Sequence, residues 1–276
     1  MIVWLSSYPK SGNTLLRGIL STYLFSNEGI FSFENLYKIN QFPVIKHFEN
    51  LGIKNDEDEK ILKNYVNAQA FINSKIKKTI FFKTHCANFK IEESTFTNMN
   101  NSKGAIYIVR DPRNVVSSLA YHNQINVNEA TKLIVSNNWL VKDKKIPDTF
   151  VGSWKFHYNS WKNFGKKVLI IKYEDLLEDK KKTVMKILKF LENLKIKILI
   201  DDKKLDKTID TTEFQQMKKL ERMVGFDESI LDKETGKKKP FFNLGPNNKW
   251  DKILGEKNIK IIEKEFYIEM KELGYL

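Results

Sequence analysis

The stretch Ile2–Phe25, IVWLSSYPKSGNTLLRGILSTYLF, decides how the whole chain is read. It opens with an apolar run, Ile2 to Leu5, too short for a helix and rich in β-branched and aromatic side chains, which is the pattern of a buried strand. Ser6 to Gly12 then makes a loop of small residues, and from Gly12 onward Leu15, Leu16, Ile19, Leu20, Tyr23 and Leu24 recur at helical spacing. The order is strand, loop, helix. Where such a loop feeds a helix, free backbone N–H groups meet at the positive end of the helix dipole, and the place favours a phosphate or a sulfate.

Against the nucleotide-triphosphate loop G-x-x-x-x-G-K-[ST], Ser7 to Thr14 keeps the second glycine (Gly12) and the hydroxyl (Thr14). It has Asn13 where the lysine belongs and carries its cation forward at Lys10. A lysine two residues before the glycine approaches an anion from the loop side, so different chemistry is expected. Tyr8-Pro9-Lys10-Ser11-Gly12-Asn13-Thr14 resembles the 5′-phosphosulfate loop Y-P-K-S-G-T-T-W of the sulfotransferases that use 3′-phosphoadenosine 5′-phosphosulfate (PAPS). Asn13 and Leu15 depart from that form, and Leu15 stands where the family commonly has an adenine-stacking Trp.

Bulk properties narrow the field. The 276 residues, 41% of them apolar, suffice for one large α/β domain or two small ones, and the formal charge of +13 favours an anionic partner such as nucleic acid, a membrane surface or a nucleotide. One cysteine, Cys86, cannot make an internal disulfide and fits a reducing compartment. No basic leader with a signal-length apolar core opens the chain and no run approaches a membrane span, so a cytoplasmic protein without stable membrane insertion is expected.

Three further apolar runs end in polar groups. Thr79 to His85 reads as a strand presenting Lys83 and His85, two residues apart, on one side beyond its carboxyl end. Ala105 to Val109 is followed by Arg110-Asp111-Pro112-Arg113, where Asp111 is a natural N-cap and Pro112 a natural first residue of a helix to about Tyr121. Arg110 is then a cation fixed at a strand tip, with Ser118 two turns along the helix, a pair suited to a phosphate; an Arg paired with a neighbouring carboxylate is the equal alternative. Val168 to Ile171 is the fourth strand and Tyr173-Glu174-Asp175 follows it. Helices are expected over Asp56–Lys77, over most of Val127–Gly165, over Lys180–Leu191 and over Glu256–Leu273. The run Ile196–Ile200 fits either a strand or helix-flanking core, and the aromatics between Ser26 and Glu49 fit either a lid or, more commonly, packing. Four strand-then-helix units, with no internal repeat or boundary, imply a single α/β domain over 1–276 of the P-loop, three-layer kind: a central parallel sheet, right-handed crossovers and helices on both faces.

The resemblance to the sulfotransferases extends over these segments. Lys83-Thr84-His85 is similar to the family's K-T-H, which implies His85 as the base that takes the acceptor's proton and Lys83 as a helper of Lys10. Tyr107 to Ser118 is similar to the 3′-phosphate segment, implying roles for Arg110 and Ser118; Tyr173-Glu174-Asp175 is similar to Y-E-D, placing Tyr173 near the nucleotide. Thr211 to Met217 is similar to T-S-F-x-x-M, implying Thr212 and Phe214 as adenine contacts, though a buried helical Phe and Met fit the pattern equally. Phe241 to Trp250 is similar to the C-terminal loop, with Gly245 and Trp250 aligned and Asn243-Leu244 in place of an Arg-Lys pair; weaker 3′-phosphate binding, or charge from Lys237, Lys238, Lys239 or Lys249, follows. Trp154 to Trp161 is similar to a helix near the acceptor side in bacterial members, with His157 expected in core or at the surface rather than in the pocket.

The implied function is in-line sulfuryl transfer from PAPS to a hydroxyl or amine of a small-molecule, carbohydrate or lipid acceptor, leaving 3′-phosphoadenosine 5′-phosphate (PAP). Ser11, Gly12, Asn13 and Thr14 join Lys10 in holding the cofactor. No metal requirement is expected, since PAPS is already activated and no carboxylate-ended strand or metal-ligand cluster is evident. Two rivals are weighed. A P-loop kinase or NTPase calls for Lys at position 13 and a strand-borne Asp. A nucleic-acid-binding module accounts for the charge, but the lysines are scattered and no reader motif is present.

Overall fold

The computed structural model describes residues 1–276 except Asn55, Lys144 and Lys145. Five parallel strands form the central sheet in the order Asn40–Gln41, Ile80–Thr84, Ile2–Ser7, Ser102–Val109 and Val168–Lys172. The first strand lies in the middle and is buried throughout. Its alternate side chains enter different cores: Ile2 and Trp4 pack with Phe82, Ala105 and Tyr107 on one face, while Val3 and Leu5 pack with Phe81, Ile106 and Ile108 on the other. A strand buried on both faces cannot alternate apolar with polar, which is why this one reads as an unbroken apolar run.

Helices cover both faces. Asn13–Phe25 and Lys180–Asn193 pack Leu16, Ile19, Leu20, Val184, Ile187 and Leu188 on one side, and Pro112–Asn123, Val127–Val135, Trp154–Lys162 and the C-terminal helices Glu256–Glu265 and Tyr267–Leu273 cover the other. The start of Pro112–Asn123 is as the sequence predicts: Pro112 opens it and the Asp111 carboxylate accepts from the Arg113 backbone N–H at 2.9 Å.

Several expectations change. The four expected strands are present, but the polar edge strand Asn40–Gln41 lacks the apolar run that would reveal it. The helix expected over Asp56–Lys77 is two, Asp58–Lys63 and Tyr65–Lys75, broken where Asn64 turns its side-chain amide onto the Lys60 carbonyl at 2.8 Å. The span Val127–Gly165 is less helical than expected. Leu140–Asp143 pairs antiparallel with Ile146–Phe150, and Pro147, which has no N–H to give a helix, sits within the second strand. Ile196–Ile200 has no regular structure and packs Ile196, Ile198 and Ile200 against the core. Of the early aromatics, Phe42 and Phe48 join the main core, while Phe31 and Phe33 form a small third cluster with Leu36, Met217, Phe226 and Phe242. No helix among the described residues is long and apolar enough to cross a membrane.

Candidate active site

The loop after the first strand is held by side chains around it. Gly12 has φ of +100°, and a Cβ there would lie 2.4 Å from the Tyr173 ring, so both conformation and contact demand glycine. Lys10, without that freedom, nevertheless sits at φ +66°. Asn13 turns its amide away from the loop, donating to the Leu5 carbonyl at 2.9 Å and to Ser7 Oγ at 3.3 Å. Its side chain therefore ties helix to strand, and what it offers a ligand is its backbone N–H. Among the described residues the N–H groups of Gly12, Asn13, Thr14 and Leu15 donate to no protein acceptor, and the buried Ser11 Oγ also lacks a partner. Unspent donors at a helix start are what a bound anion requires.

Beyond the carboxyl ends of the strands lies a cavity of about 1000 Å³. Lys10, Gly12, Asn13, Thr14, Lys83, His85, Arg110, Ser118, Tyr173, Phe214 and Gly245 all line it. Lys10 and Arg110 thus meet in one site. The Arg110 guanidinium lies 4.5 Å from the Tyr173 ring centroid and donates through Nη1 to the Lys10 carbonyl at 3.3 Å, while its buried Nε has no partner. Tyr173 is consequently a shelf touching Gly12 on one side and Arg110 on the other. Phe214 packs on the loop that carries Gly245: a Cβ on Gly245 would come within 2.3 Å of its ring.

Two expected residues stand apart. Thr212 is fully buried off the cavity lining and spends its hydroxyl on the Thr208 carbonyl at 2.6 Å. Ser11 is beneath the loop rather than in the lining. Lys237, Lys238, Lys239 and Lys249, the candidates to replace the missing Arg-Lys pair, are also outside the lining; Lys180, paired with Glu213, is in it, and Lys218 Nζ donates to the Asn243 carbonyl at 3.0 Å. The loop carrying Gly245 and Trp250 is docked on the helix after Arg110, where Ser117 Oγ donates to Asn248 Oδ1 at 2.7 Å and Asn248 Nδ2 to the Asn114 carbonyl at 2.8 Å.

His85 has its tautomer fixed by its neighbours. Nδ1 lies 3.0 Å from the Ser7 carbonyl, which only accepts, so Nδ1 carries the proton and Nε2 keeps its lone pair. Burial, with Lys83 beside it, lowers its pKa to about 4, leaving it neutral near pH 7. His157 is in the core and supports it. Nε2 of His157 donates to the His85 carbonyl at 3.1 Å, and its Nδ1 accepts from the Tyr107 hydroxyl at 2.9 Å. Burial lowers Lys10 to about 8; Glu228 opposes that shift, while Arg110 and Lys83 add to it. The Lys10 ammonium lies 4.5 Å from the Phe241 ring centroid.

Sequence reading missed Arg17 and Glu228. Glu228 Oε1 accepts from Lys83 at 2.9 Å and from Arg17 at 2.5 Å. Arg17 had a signal, as the one charge between Thr14 and Phe25 on an otherwise apolar helix. Glu228, in a loop without periodicity, had none. Among the described residues no group of three His, Cys, Asp or Glu side chains is placed to hold a metal ion.

Proteins of known structure share this fold. Over 97% of this chain and 83% of the other, it is similar to mouse sulfotransferase SULT7A1 complexed with PAP (TM-score 0.61, 21% identity). It is also similar, at TM-score 0.62 and 17% identity over 98% and 80%, to retinol dehydratase in complex with androsterone and inactive cofactor PAP. These likenesses concern the fold. In sequence, sulfotransferase 1E1 of Rattus norvegicus is 25% identical over 96% of this chain and 82% of its own length, and sulfotransferase 1B1 of Canis lupus familiaris 25% over 90% and 80%. Because residues 2–274 match the family described as the sulfotransferase domain, this chain belongs to that family and is a PAPS-dependent transferase.

Proposed function

We propose that Lys10, Lys83 and His85 carry the transfer and that Arg110 and Ser118 hold the nucleotide's 3′-phosphate. The donor supplies an activated sulfuryl group on a phosphate leaving group; the protein's part is alignment and charge. The free N–H groups of Gly12 to Leu15 and the Lys10 ammonium stabilise the charge that grows on the departing phosphate, an effect worth ~2.7–4 kcal/mol per donor in comparable sites. His85 Nε2 takes the proton from the acceptor hydroxyl or amine. Phe214 packs against the adenine, and Thr212 acts behind it through the turn it closes. The observation that carries this reading is the convergence of Lys10, Lys83, His85 and Arg110 on one cavity.

The acceptor, in this reading, is a small molecule, a sugar or a lipid headgroup held between the apolar rim of Phe42, Trp139, Val141, Ile146 and Phe241 and the polar wall of Asn40 and Gln41. Relatives named for luciferin and amine sulfation support that range. We further take the chain to act as one domain in the cytoplasm, where its single buried thiol, Cys86, stays reduced. The test is transfer from labelled PAPS across a panel of phenols, amines, sugars and lipids. With an accepted substrate, His85→Ala is expected to lose ~10²–10⁴-fold in kcat with PAP affinity retained; near-normal turnover removes His85 from the role.

A further inference from the structure

We infer that Glu228 is a positioning residue for transfer: by bridging Arg17 and Lys83 it keeps the Lys83 ammonium charged and fixed at the reacting centre. The inference rests on the role given to Lys83 above.

Three elements meet in the bridge. Arg17, from the helix after the loop, is 3% exposed and cannot swing away, because Nε donates to the Leu36 carbonyl at 3.2 Å and to the Ile39 carbonyl at 2.8 Å. Its Nη1 grips Glu228 Oε1 at 2.5 Å, so the carboxylate is anchored from behind. The same oxygen then accepts from Lys83 Nζ at 2.9 Å, the one hydrogen bond that this ammonium makes among the described residues. A four-carbon stem has many rotamers, and the bridge selects one.

Charge gives the bridge a second effect. Around Lys83 stand Arg17 from the first helix, Lys10 from the loop, His85 from its own strand end, His122 from the helix Pro112–Asn123 and Glu228 from the loop before Ile230, with Tyr37 against Arg17 and Asp227 exposed next to Glu228. Take Glu228 away and buried cations face one another without an intervening anion. Arginine does not give up its proton, so the lysine would. Burial and Arg17 already push Lys83 downward, and Glu228, itself held down at about 2, is what resists.

The experiment is the pH dependence of kcat for the wild type, Glu228→Gln, Lys83→Ala and the double variant, with PAPS saturating so that the bound anion keeps Lys10 charged. Glu228→Gln is expected to move the alkaline limb to lower pH by about 1–3 units. Lys83→Ala is expected to lose ~10²-fold or more in kcat, and adding Glu228→Gln to it to cost no more than about twofold further. An unmoved limb, or an equal loss in both backgrounds, overturns the inference; the second result would mean that Glu228 acts on the acceptor instead. If Glu228→Gln does not fold, Glu228→Asp draws the charge back from Lys83 and should move the limb the same way by less, an unmoved limb again overturning it. Full transfer by Lys83→Ala defeats the role of Lys83 itself, whereas a dead Lys83→Ala beside an unmoved Glu228→Gln limb defeats only the inference about Glu228.

Discussion

His85, the base in the proposed mechanism, shows how its surroundings can prepare an ordinary side chain for that role. The Ser7 carbonyl fixes the proton on Nδ1, the cavity desolvates the ring, and two cations nearby disfavour a positive imidazole. A histidine held neutral gives up basicity in exchange for a lone pair that is available over a wide pH range. Because kcat/KM reports the free enzyme, its profile follows the groups as they stand here. On the proposed roles, the acid limb belongs to His85, which acts when neutral and is lost as pH falls through about 4, and the alkaline limb to Lys10, which acts when charged and is lost as pH rises through about 8. We predict a plateau between those values, and Lys10→Arg should remove the alkaline limb near 8 whatever it costs in rate. An acid limb near 6.5 would mean that the imidazole is solvated and not held as described.

At the scale of elements, the helix Pro112–Asn123 sets the distance between Arg110 and Ser118, and its own position depends on Arg113. That guanidinium donates to Asp111 Oδ2 at 2.8 Å, Glu263 Oε1 at 2.6 Å and the Tyr275 carbonyl at 2.8 Å, and lies 4.1 Å from the Trp250 ring centroid. The cap, the C-terminal helices and the Gly245–Trp250 loop are thereby joined through one side chain. Removing one partner of a buried pair leaves the others uncompensated, so Arg113→Ala should cost about 3–5 kcal/mol. Urea denaturation checks this: a lower midpoint with unchanged slope is expected, and an unchanged midpoint would show that the network contributes nothing. A similar tie holds the opposite wall. Glu221 accepts from the backbone N–H groups of Phe241 at 2.7 Å and Phe242 at 3.0 Å and from Ser229 Oγ at 2.7 Å, fixing the loops that bear Phe241 and Glu228 to the helix Phe214–Val224.

For the molecule as a whole, the fold is the simplest consequence of putting one fully buried parallel strand at the centre: two cores form, and every polar group that must reach a ligand is delivered at the carboxyl edge. That much was legible in the sequence, because Ile2–Leu5, Ala105–Val109 and Val168–Ile171 are continuous apolar runs, and because Lys10, Lys83, His85 and Arg110 each follow such a run. What was not legible depended on contacts across the chain. Asn13 reads as a ligand until its amide is seen on Leu5, Thr212 reads as a base contact until its hydroxyl is seen on Thr208, and Glu228 carries no local pattern because its partners lie 211 and 145 residues away. The antiparallel pair Leu140–Asp143 and Ile146–Phe150 was hidden for another reason, since its few apolar residues fit a helix until Pro147 is weighed.

The central claim is that one nucleotide is gripped at both ends, by the Lys10 loop at the 5′ side and by Arg110 at the 3′ side. Calorimetric titration of the wild type and of Arg110→Met with PAP and with 5′-AMP tests it most directly. The account predicts that the wild type prefers PAP to 5′-AMP and that Arg110→Met loses most of this preference while its 5′-AMP affinity changes by no more than about threefold, a 3′-phosphate contact through arginine being worth on the order of 1.5–3 kcal/mol. Equal losses for both nucleotides, or a wild type that binds PAP no better than 5′-AMP, would contradict it.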